Sequence, residues 1–369
     1  MTGQALLTGS PALDVALATI ADLGPLDTGA MAEARAHLDQ LTKPPGSLGR
    51  LEALVMALAG IRGQPVPPLG RRAIVVAAAD HGVARHGVSA YPSEVTAQMV
   101  ANFVAGGAAI CVLAERVRAE VSVIDVGVAA PIPQVPVGTR GARLVSEPIR
   151  PGTADMTVEP AMAREEAVRA IDIGLAVAAG LAADGCDVIA VGEMGIGNTT
   201  AASALVGVLA GVPVEDVAGR GTGLDDAGVA RKVDALRAAL ARHAPDRRDP
   251  VGVLAAVGGL EIACLVGVIL GAAAARRPVV LDGFITGAAA LVAQGLAPTI
   301  APRLIAGHRS QEPGHAVALE RLGLAPLLSL ELRLGEGSGA ALALGLMDAA
   351  VAIRDGMATF ASAGIAGPD

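Results

Sequence analysis

The chain has 369 residues, of which 53% are hydrophobic, and this is enough for a substantial core in one large domain or two. Its 28 basic and 36 acidic residues give a net charge of −8, and no basic run is interleaved with aromatic residues, which argues against a nucleic-acid partner. The cysteines (Cys111, Cys186, Cys264) and the pair His308 and His315 lack metal-ligand spacing. We therefore expect reduced core cysteines, a cytoplasmic protein and no metal site, and the amino-terminal sequence predicts no signal peptide.

Hydropathy raises the question of a membrane span, because the mean hydropathy is +0.55 and residues 251–275 carry a single charge, Glu261. That carboxylate lies in the middle of the segment, and Trp and Tyr are too few to form interfacial belts. Ala, Gly, Val and Leu account for the apolar excess, as in α/β proteins whose buried parallel strands are continuous apolar runs. We therefore expect no membrane association.

The first 62 residues contain helical patterns and no strand pattern. Ser10-Pro11 is typical of a helix start, and Ser47 can cap a later helix. The proline-rich segment 63–68 then ends this opening helical unit. The predicted helices cover about residues 11–22, 30–41 and 48–60.

From residue 73 onward, apolar and β-branched runs alternate with helical patterns, which predicts an α/β fold with a mostly parallel sheet covered on both faces. The first run ends at Asp80-His81-Gly82, and polar residues at the carboxyl end of a strand are where open α/β sheets bind ligands. Residues 131–158 are predicted to be loop-rich and receive no function. The predicted strands are 73–79, 121–127, 187–191, 278–281 and 304–306, and the longest predicted helices are 93–105 and 159–184.

Residues 192–200, GEMGIGNTT, form a glycine-rich loop between a predicted strand and a predicted helix. Free N–H groups at a helix start bind phosphate, and glycines let the backbone approach the anion. Asn198 occupies the position of the lysine in nucleoside-triphosphate loops, which argues against an NTPase and favours a monophosphate. The glycines could instead serve only close packing of strand and helix. Glu193 adds a carboxylate with a candidate role in catalysis or sugar binding.

Two later glycine-rich segments also carry candidate functional residues. Residues 219–226 precede a predicted helix that includes Lys232, which can reach an anion at the helix start or can belong to a solvated basic face. Residues 335–339 place Glu336 between glycines and beside an alanine-rich helix. Such surroundings raise the pKa of a carboxyl group and suit a general base, whereas the alternative is a simple acidic helix cap.

Taken together, these motifs resemble the nicotinate-nucleotide–dimethylbenzimidazole phosphoribosyltransferases of the cobalamin pathway. The resemblance runs in matching order from about residue 42 to about residue 350. The segments that carry it are TKPPGSLGRLE (42–52), AADHGVARHGVSAYP (78–92), VTAQMVANF (95–103), GEMGIGNTT (192–200), GRGTGLDD (219–226), LDGFITGAAAL (281–291), GHRSQEPGH (307–315) and LRLGEGSGAALAL (332–344).

The resemblance implies an enzyme that moves phosphoribose from nicotinate mononucleotide to a benzimidazole nitrogen with anomeric inversion, giving α-ribazole phosphate and nicotinate. It implies small-molecule substrates, no cofactor and a homodimer. It also implies a doubly wound, Rossmann-like domain over residues 63–340, with a small helical domain built from residues 1–62 and part of 340–369.

The resemblance further assigns roles to individual residues. Glu336 matches the general base that takes the proton of the incoming benzimidazole, and Glu193 matches a second glutamate of the site. Some relatives carry serine before the proline of the base pocket, so Tyr91 can narrow or polarise the slot. The implied phosphate contacts are Gly195, Gly197, Asn198, Thr199, Lys232 and Ser310, and the implied base contacts are Tyr91, Pro92, Gln98 and Met99.

The alternative function is a non-catalytic sensor that binds a nucleoside monophosphate. Such a sensor is expected to lack a usable base. Glu336 within an unbroken GEGSG segment therefore favours the enzyme.

Overall fold

The computed structural model describes residues 8–367. Three helices precede the first strand, namely α1 (Pro11–Leu23), α2 (Thr28–Gln40) and α3 (Arg50–Arg62). They are followed by β1 (Arg72–Ala79), α4 (Glu94–Ala105), α5 (Ala109–Arg116), β2 (Glu120–Gly127), β3 (Arg143–Ser146), α6 (Arg164–Ala183), β4 (Val188–Met194), α7 (Asn198–Ala210), α8 (Asp226–His243), α9 (Pro250–Val257) and α10 (Leu260–Ala274). The last elements are β5 (Val279–Leu281), α11 (Phe284–Leu296), β6 (Leu304–Ala306), α12 (Pro313–Leu322), α13 (Ser338–Gly356) and α14 (Phe360–Ala363).

The strands form one six-stranded sheet in the order β3-β2-β1-β4-β5-β6, and every neighbouring pair is parallel. This is the strand order of a doubly wound, Rossmann-like fold, so the predicted fold class is confirmed. The strand order reverses between β1 and β4. Ligands of such sheets bind beyond the carboxyl ends of the strands at this reversal, which is where the cavity described below lies.

Helices cover both faces of the sheet. Along β1, Val75 packs into a core shared with α1, α6, α7, α10 and α11, and Val76 packs into a second core shared with α2, α3, α4, α5 and α13. Both residues are fully buried because successive side chains of a strand point to opposite faces. Helix α1 contacts α6 and α10, whereas α3 contacts α2 and α13. The division into a small and a large domain stays a prediction.

Several element boundaries differ from the predicted ones. Ser10 caps α1 as expected, but α3 begins after Gly49, and Ser47 lies in the preceding turn. No side chain caps α3, although Glu52 Oε1 accepts the Leu48 N–H at 3.0 Å just before the helix. Strand β3 and helix α5 were not predicted, and β4 extends three residues further than expected.

The apolar segment 251–275 is divided by Gly258-Gly259 into α9 and α10, which pack inside the core with Glu261 fully buried. Within residues 8–367, one other segment, Glu94–Arg116, has the length and apolarity of a membrane span. That segment is 50% buried in the fold. It is also divided into α4 and α5 at Gly106-Gly107, so it is not one continuous helix.

Candidate active site

A cavity of about 390 Å³ lies beyond the carboxyl ends of β4, β5 and β6. Its lining is mostly apolar, with a few polar groups that converge on it, as is usual for small-molecule sites. The predicted site residues that line it are Glu193, Gly195, Asn198, Thr199, Ser310, Glu336, Tyr91 and Met99. The lining does not include Gly197, Lys232, Pro92 or Gln98.

Glu336 occupies a left-handed backbone conformation with φ of 64°, between Gly335 and Gly337, which also have positive φ. Its side chain is buried, and its Oε2 has no hydrogen-bond partner among residues 8–367. Burial raises the pKa of Glu336 to about 7, and the charge of Asp282 acts in the same direction, while the backbone N–H of Ile110 opposes them. Glu336 can therefore accept a proton near neutral pH.

Asp282 fixes the backbone around this base. It follows β5 and is fully buried, and its carboxylate accepts the N–H groups of Gly337 at 3.1 Å, Gly339 at 2.7 Å and Ala340 at 3.1 Å. A carboxylate is favoured there because it faces the free N–H groups of the α13 start. The sequence indicated Asp282 only as a polar residue at a strand end. In the structure, Asp282 supports the segment that carries Glu336.

Glu193 lies at the end of β4 rather than in the loop that follows. The side-chain amide of Asn198 donates a hydrogen bond to its carboxylate. Burial raises the pKa of Glu193 well above its usual value, and the charges of Glu261, Asp282 and Glu336 add to that effect. Asn198 thus holds a carboxylate at the position where triphosphate-binding loops carry a lysine.

Lys232 lies directly behind the wall of the cavity. It is fully buried, so the solvated-face interpretation is wrong, and its Nζ donates to Thr199 Oγ1 at 2.8 Å and to the Gly219 carbonyl at 3.1 Å. Burial lowers the pKa of Lys232 to about 8, although the charge of Glu312 opposes this. A buried ammonium group with two neutral partners favours an anionic ligand nearby.

The predicted base-pocket residues do not all face the cavity. Met99 lines it, and Tyr91 lies at its mouth with 56% of its surface exposed. Pro92 and Gln98 are exposed outside the lining. The Asp80-His81 segment, expected at the ligand-binding end of β1, is buried outside the cavity lining.

A further part of the polar wall comes from the segment before α12. Ser310 Oγ lies 3.0 Å from His315 Nδ1, and burial lowers the pKa of His315 to about 3, so its ring is neutral. His308 lines the cavity with its ring edge near Asp282, at 3.5 Å between Nε2 and Oδ1. Within residues 8–367, no three His, Cys, Asp or Glu side chains form a group that could hold a metal ion.

Known proteins are similar to this chain in both sequence and fold. A family described as "Phosphoribosyltransferase" matches residues 23–365. The nicotinate-nucleotide–dimethylbenzimidazole phosphoribosyltransferase of Roseiflexus sp. (strain RS-1) is 57% identical over 349 residues, which cover 95% of this chain and 97% of that protein. The protein of the same name from Chloroflexus aggregans is 56% identical over 347 residues, which cover 94% of this chain and 97% of that protein.

A solved structure agrees with these relatives. The crystal structure of CobT from Thermus thermophilus matches with a TM-score of 0.86 and 49% identity, and the match covers 92% of this chain and 100% of that chain. Sequence identity of this extent and a shared fold over nearly the whole length leave one assignment. The chain belongs to the family of nicotinate-nucleotide–dimethylbenzimidazole phosphoribosyltransferases.

Proposed function

We propose that this chain transfers phosphoribose from nicotinate mononucleotide to 5,6-dimethylbenzimidazole, giving α-ribazole 5′-phosphate and nicotinate for the nucleotide loop of cobalamin. The single observation that carries the proposal is the position of Glu336, a buried carboxyl group with a free oxygen and a pKa of about 7, in the wall of an apolar cavity. We place this activity in the cytoplasm, and we expect a homodimer.

The phosphate of nicotinate mononucleotide binds beside Thr199 and Lys232. Thr199 lies in the first turn of α7, where the helix dipole favours an anion, and Lys232 supplies a positive charge without exposure to water. Ser310 lines the same cavity and offers a further hydroxyl group. Gly197 has a φ of 98°, which lets the backbone turn sharply into α7 at this point.

The acceptor base occupies the apolar part of the cavity, between Met99, Val95 and Leu334. Its unprotonated ring nitrogen attacks C1′ of the ribose on the face opposite the pyridinium, which inverts the anomeric centre. The C1′–N bond to nicotinate breaks, and its electron pair neutralises the pyridinium nitrogen, so the leaving group needs no proton. The acceptor's other ring nitrogen then gives its proton to Glu336.

Glu193 stabilises the positive charge that develops on the ribose during this step. Its carboxyl group lies in the same cavity wall as Glu336, and Asn198 holds it in place. Fixed charges directed at developing charge can contribute as much as proton transfer. Glu336 and Glu193 therefore have separate roles on the two reacting partners.

The proposal is tested by incubating the protein with nicotinate mononucleotide and dimethylbenzimidazole in the presence of a metal chelator and without nucleoside triphosphate. Release of nicotinate together with α-ribazole phosphate is the expected result. No release, or release that depends on ATP or on a divalent metal, would contradict the proposed reaction. Omitting the benzimidazole separates transfer from simple hydrolysis of the mononucleotide.

A further inference from the structure

His81 and Glu261 form a buried pair beneath the cavity. His81 follows β1, at the reversal of the strand order, and Glu261 lies in the first turn of α10. The distance between His81 Nε2 and Glu261 Oε1 is 2.7 Å, and both side chains are almost completely buried. Burial alone would lower the pKa of His81, but the charge and hydrogen bond of Glu261, with the charge of Asp80, raise it.

The His81 side chain lies beside Gly195 and Gly197 of residues 195–197, which we call the phosphate loop. A Cβ atom at Gly195 would lie 3.4 Å from His81 Nε2, and a Cβ atom at Gly197 would lie 3.1 Å from the Cβ of His81. A Cβ atom at Gly259, just before α10, would collide with Cε1 of the ring, the atom next to Nε2. The ring therefore lies beside both the phosphate loop and the start of α10.

The phosphate loop leads directly into the residues that carry the site. Asn198, which holds Glu193, and Thr199, which contacts Lys232, are the first two residues of α7. Because Gly195 lies beside the His81 ring and Gly197 lies beside the His81 Cβ, this side chain supports the loop that leads into α7. A smaller side chain at position 81 lets the phosphate loop move toward the sheet.

We propose that His81, held by Glu261, is a positioning residue that keeps the phosphate loop in the position needed to bind the phosphate of the substrate. The inference rests on the proposed function, because it assumes that nicotinate mononucleotide places its phosphate at Thr199 and Lys232. His81 itself does not touch the substrate, since it lies outside the lining of the cavity.

The test is steady-state kinetics of His81→Gln, which keeps a polar partner for Glu261 but removes the ring. kcat/KM for nicotinate mononucleotide is expected to fall by about 100-fold, since a displacement of about 1 Å can have an effect of this size, and most of the fall is expected to come from a rise in KM. The fall in kcat at saturating mononucleotide is expected to be smaller than this rise, and KM for the benzimidazole is expected to change little. If His81 only stabilised the fold, its replacement would lower Tm but would not raise KM for nicotinate mononucleotide more than KM for the benzimidazole.

A matched control is His86→Gln, because His86 Nε2 also lies 2.7 Å from a carboxylate, that of Asp155, but the His86 side chain is partly exposed and is not a neighbour of Gly195 or Gly197. Its KM is expected to stay near that of the wild type. Should His81→Gln fail to fold, the double variant His81→Leu with Glu261→Leu removes both charges together, which buried pairs often tolerate.

A folded variant of either kind whose KM for nicotinate mononucleotide stays within about threefold of the wild type would overturn the inference. Calorimetric titration with nicotinate mononucleotide distinguishes failure of the proposed function from failure of the proposed role of His81. Failure of the wild type to bind or turn over the mononucleotide refutes the proposed function, and the inference with it. A normal wild type with an unaffected His81 variant refutes the inference alone.

Discussion

Replacing Glu336 by Gln is expected to stabilise the fold while it inactivates the enzyme. The pKa of Glu336 is raised from 4.5 to about 7 by burial, so the folded protein binds this proton more tightly than the unfolded chain does. Each tenfold change in proton affinity is worth about 1.36 kcal/mol, and the ionised carboxylate therefore lowers the free energy of unfolding by about 3 kcal/mol above about pH 7. Gln has no such charge.

The sign of this effect fixes its pH window. Below about pH 4.5 the carboxyl group is protonated in both states, so the Gln variant and the wild type should be equally stable. The advantage of the variant should grow as the pH rises to about 7 and then remain constant. Denaturant unfolding at a series of pH values measures it, provided that both proteins unfold in one cooperative transition.

Glu52→Gln provides a control of opposite sign. Burial opposes ionisation there, but the contact with Lys43 and the backbone N–H groups outweigh it, and the pKa of Glu52 is lowered. Relative to the wild type, that variant should be less stable by a constant amount above about pH 4.5, and the difference should shrink at lower pH. A Glu336→Gln variant without a growing advantage between about pH 4.5 and 7 would show that Glu336 is not a buried, proton-binding group.

The same Glu336→Gln variant should lower kcat by about 10²- to 10⁴-fold and lose the acidic limb of the kcat profile, whereas Glu193→Gln should slow transfer and keep that limb. KM of the wild type for nicotinate mononucleotide should rise with pH through about 8, where Lys232 loses its proton, and Lys232→Met should have a high KM without this dependence. Tyr91→Ser at the cavity mouth should change the ratio of kcat/KM between different benzimidazoles, by an amount equivalent to about 1–3 kcal/mol of transition-state binding. In a panel of acceptors, unchanged ratios would exclude Tyr91 from acceptor selection.

The central strands of the sheet could be predicted because their sequences carry two independent signals. β1 and β4 are continuous apolar runs, as expected for strands buried on both faces, and each ends in glycine and polar residues. β3 gives no such signal, because it has four residues, lies at the edge of the sheet and is largely exposed. Its pairing with β2 depends on the fold around it and not on its own residues.

Site residues could be predicted where one segment of the chain supplies them. They could not be predicted where the direction of a side chain determines whether it faces the cavity. Val95 and Met99 are four residues apart on α4 and line the cavity, whereas Gln98 lies on the exposed face of the same helix. The burial of His81 outside the cavity lining could not be predicted for a similar reason. A motif shows that residues are neighbours in the chain, but the partner of His81 is 180 residues away.

The cavity concentrates carboxyl groups, and this has opposite consequences for stability and for catalysis. Burial raises the pKa of both Glu193 and Glu336, the charge of Asp282 adds to both effects, and the charge of Glu336 adds to that on Glu193. The empty site therefore retains protons on these two residues that they would lose in water. In the proposed reaction the substrate carries a positive pyridinium ring, and positive charge spreads to the ribose as the bond breaks. A positive charge beside these groups favours their ionised forms. The arrangement that lowers the stability of the fold at high pH is thus the one that supplies a proton acceptor and a counter-charge when substrate is bound, which is the usual relation between stability and activity in enzyme sites.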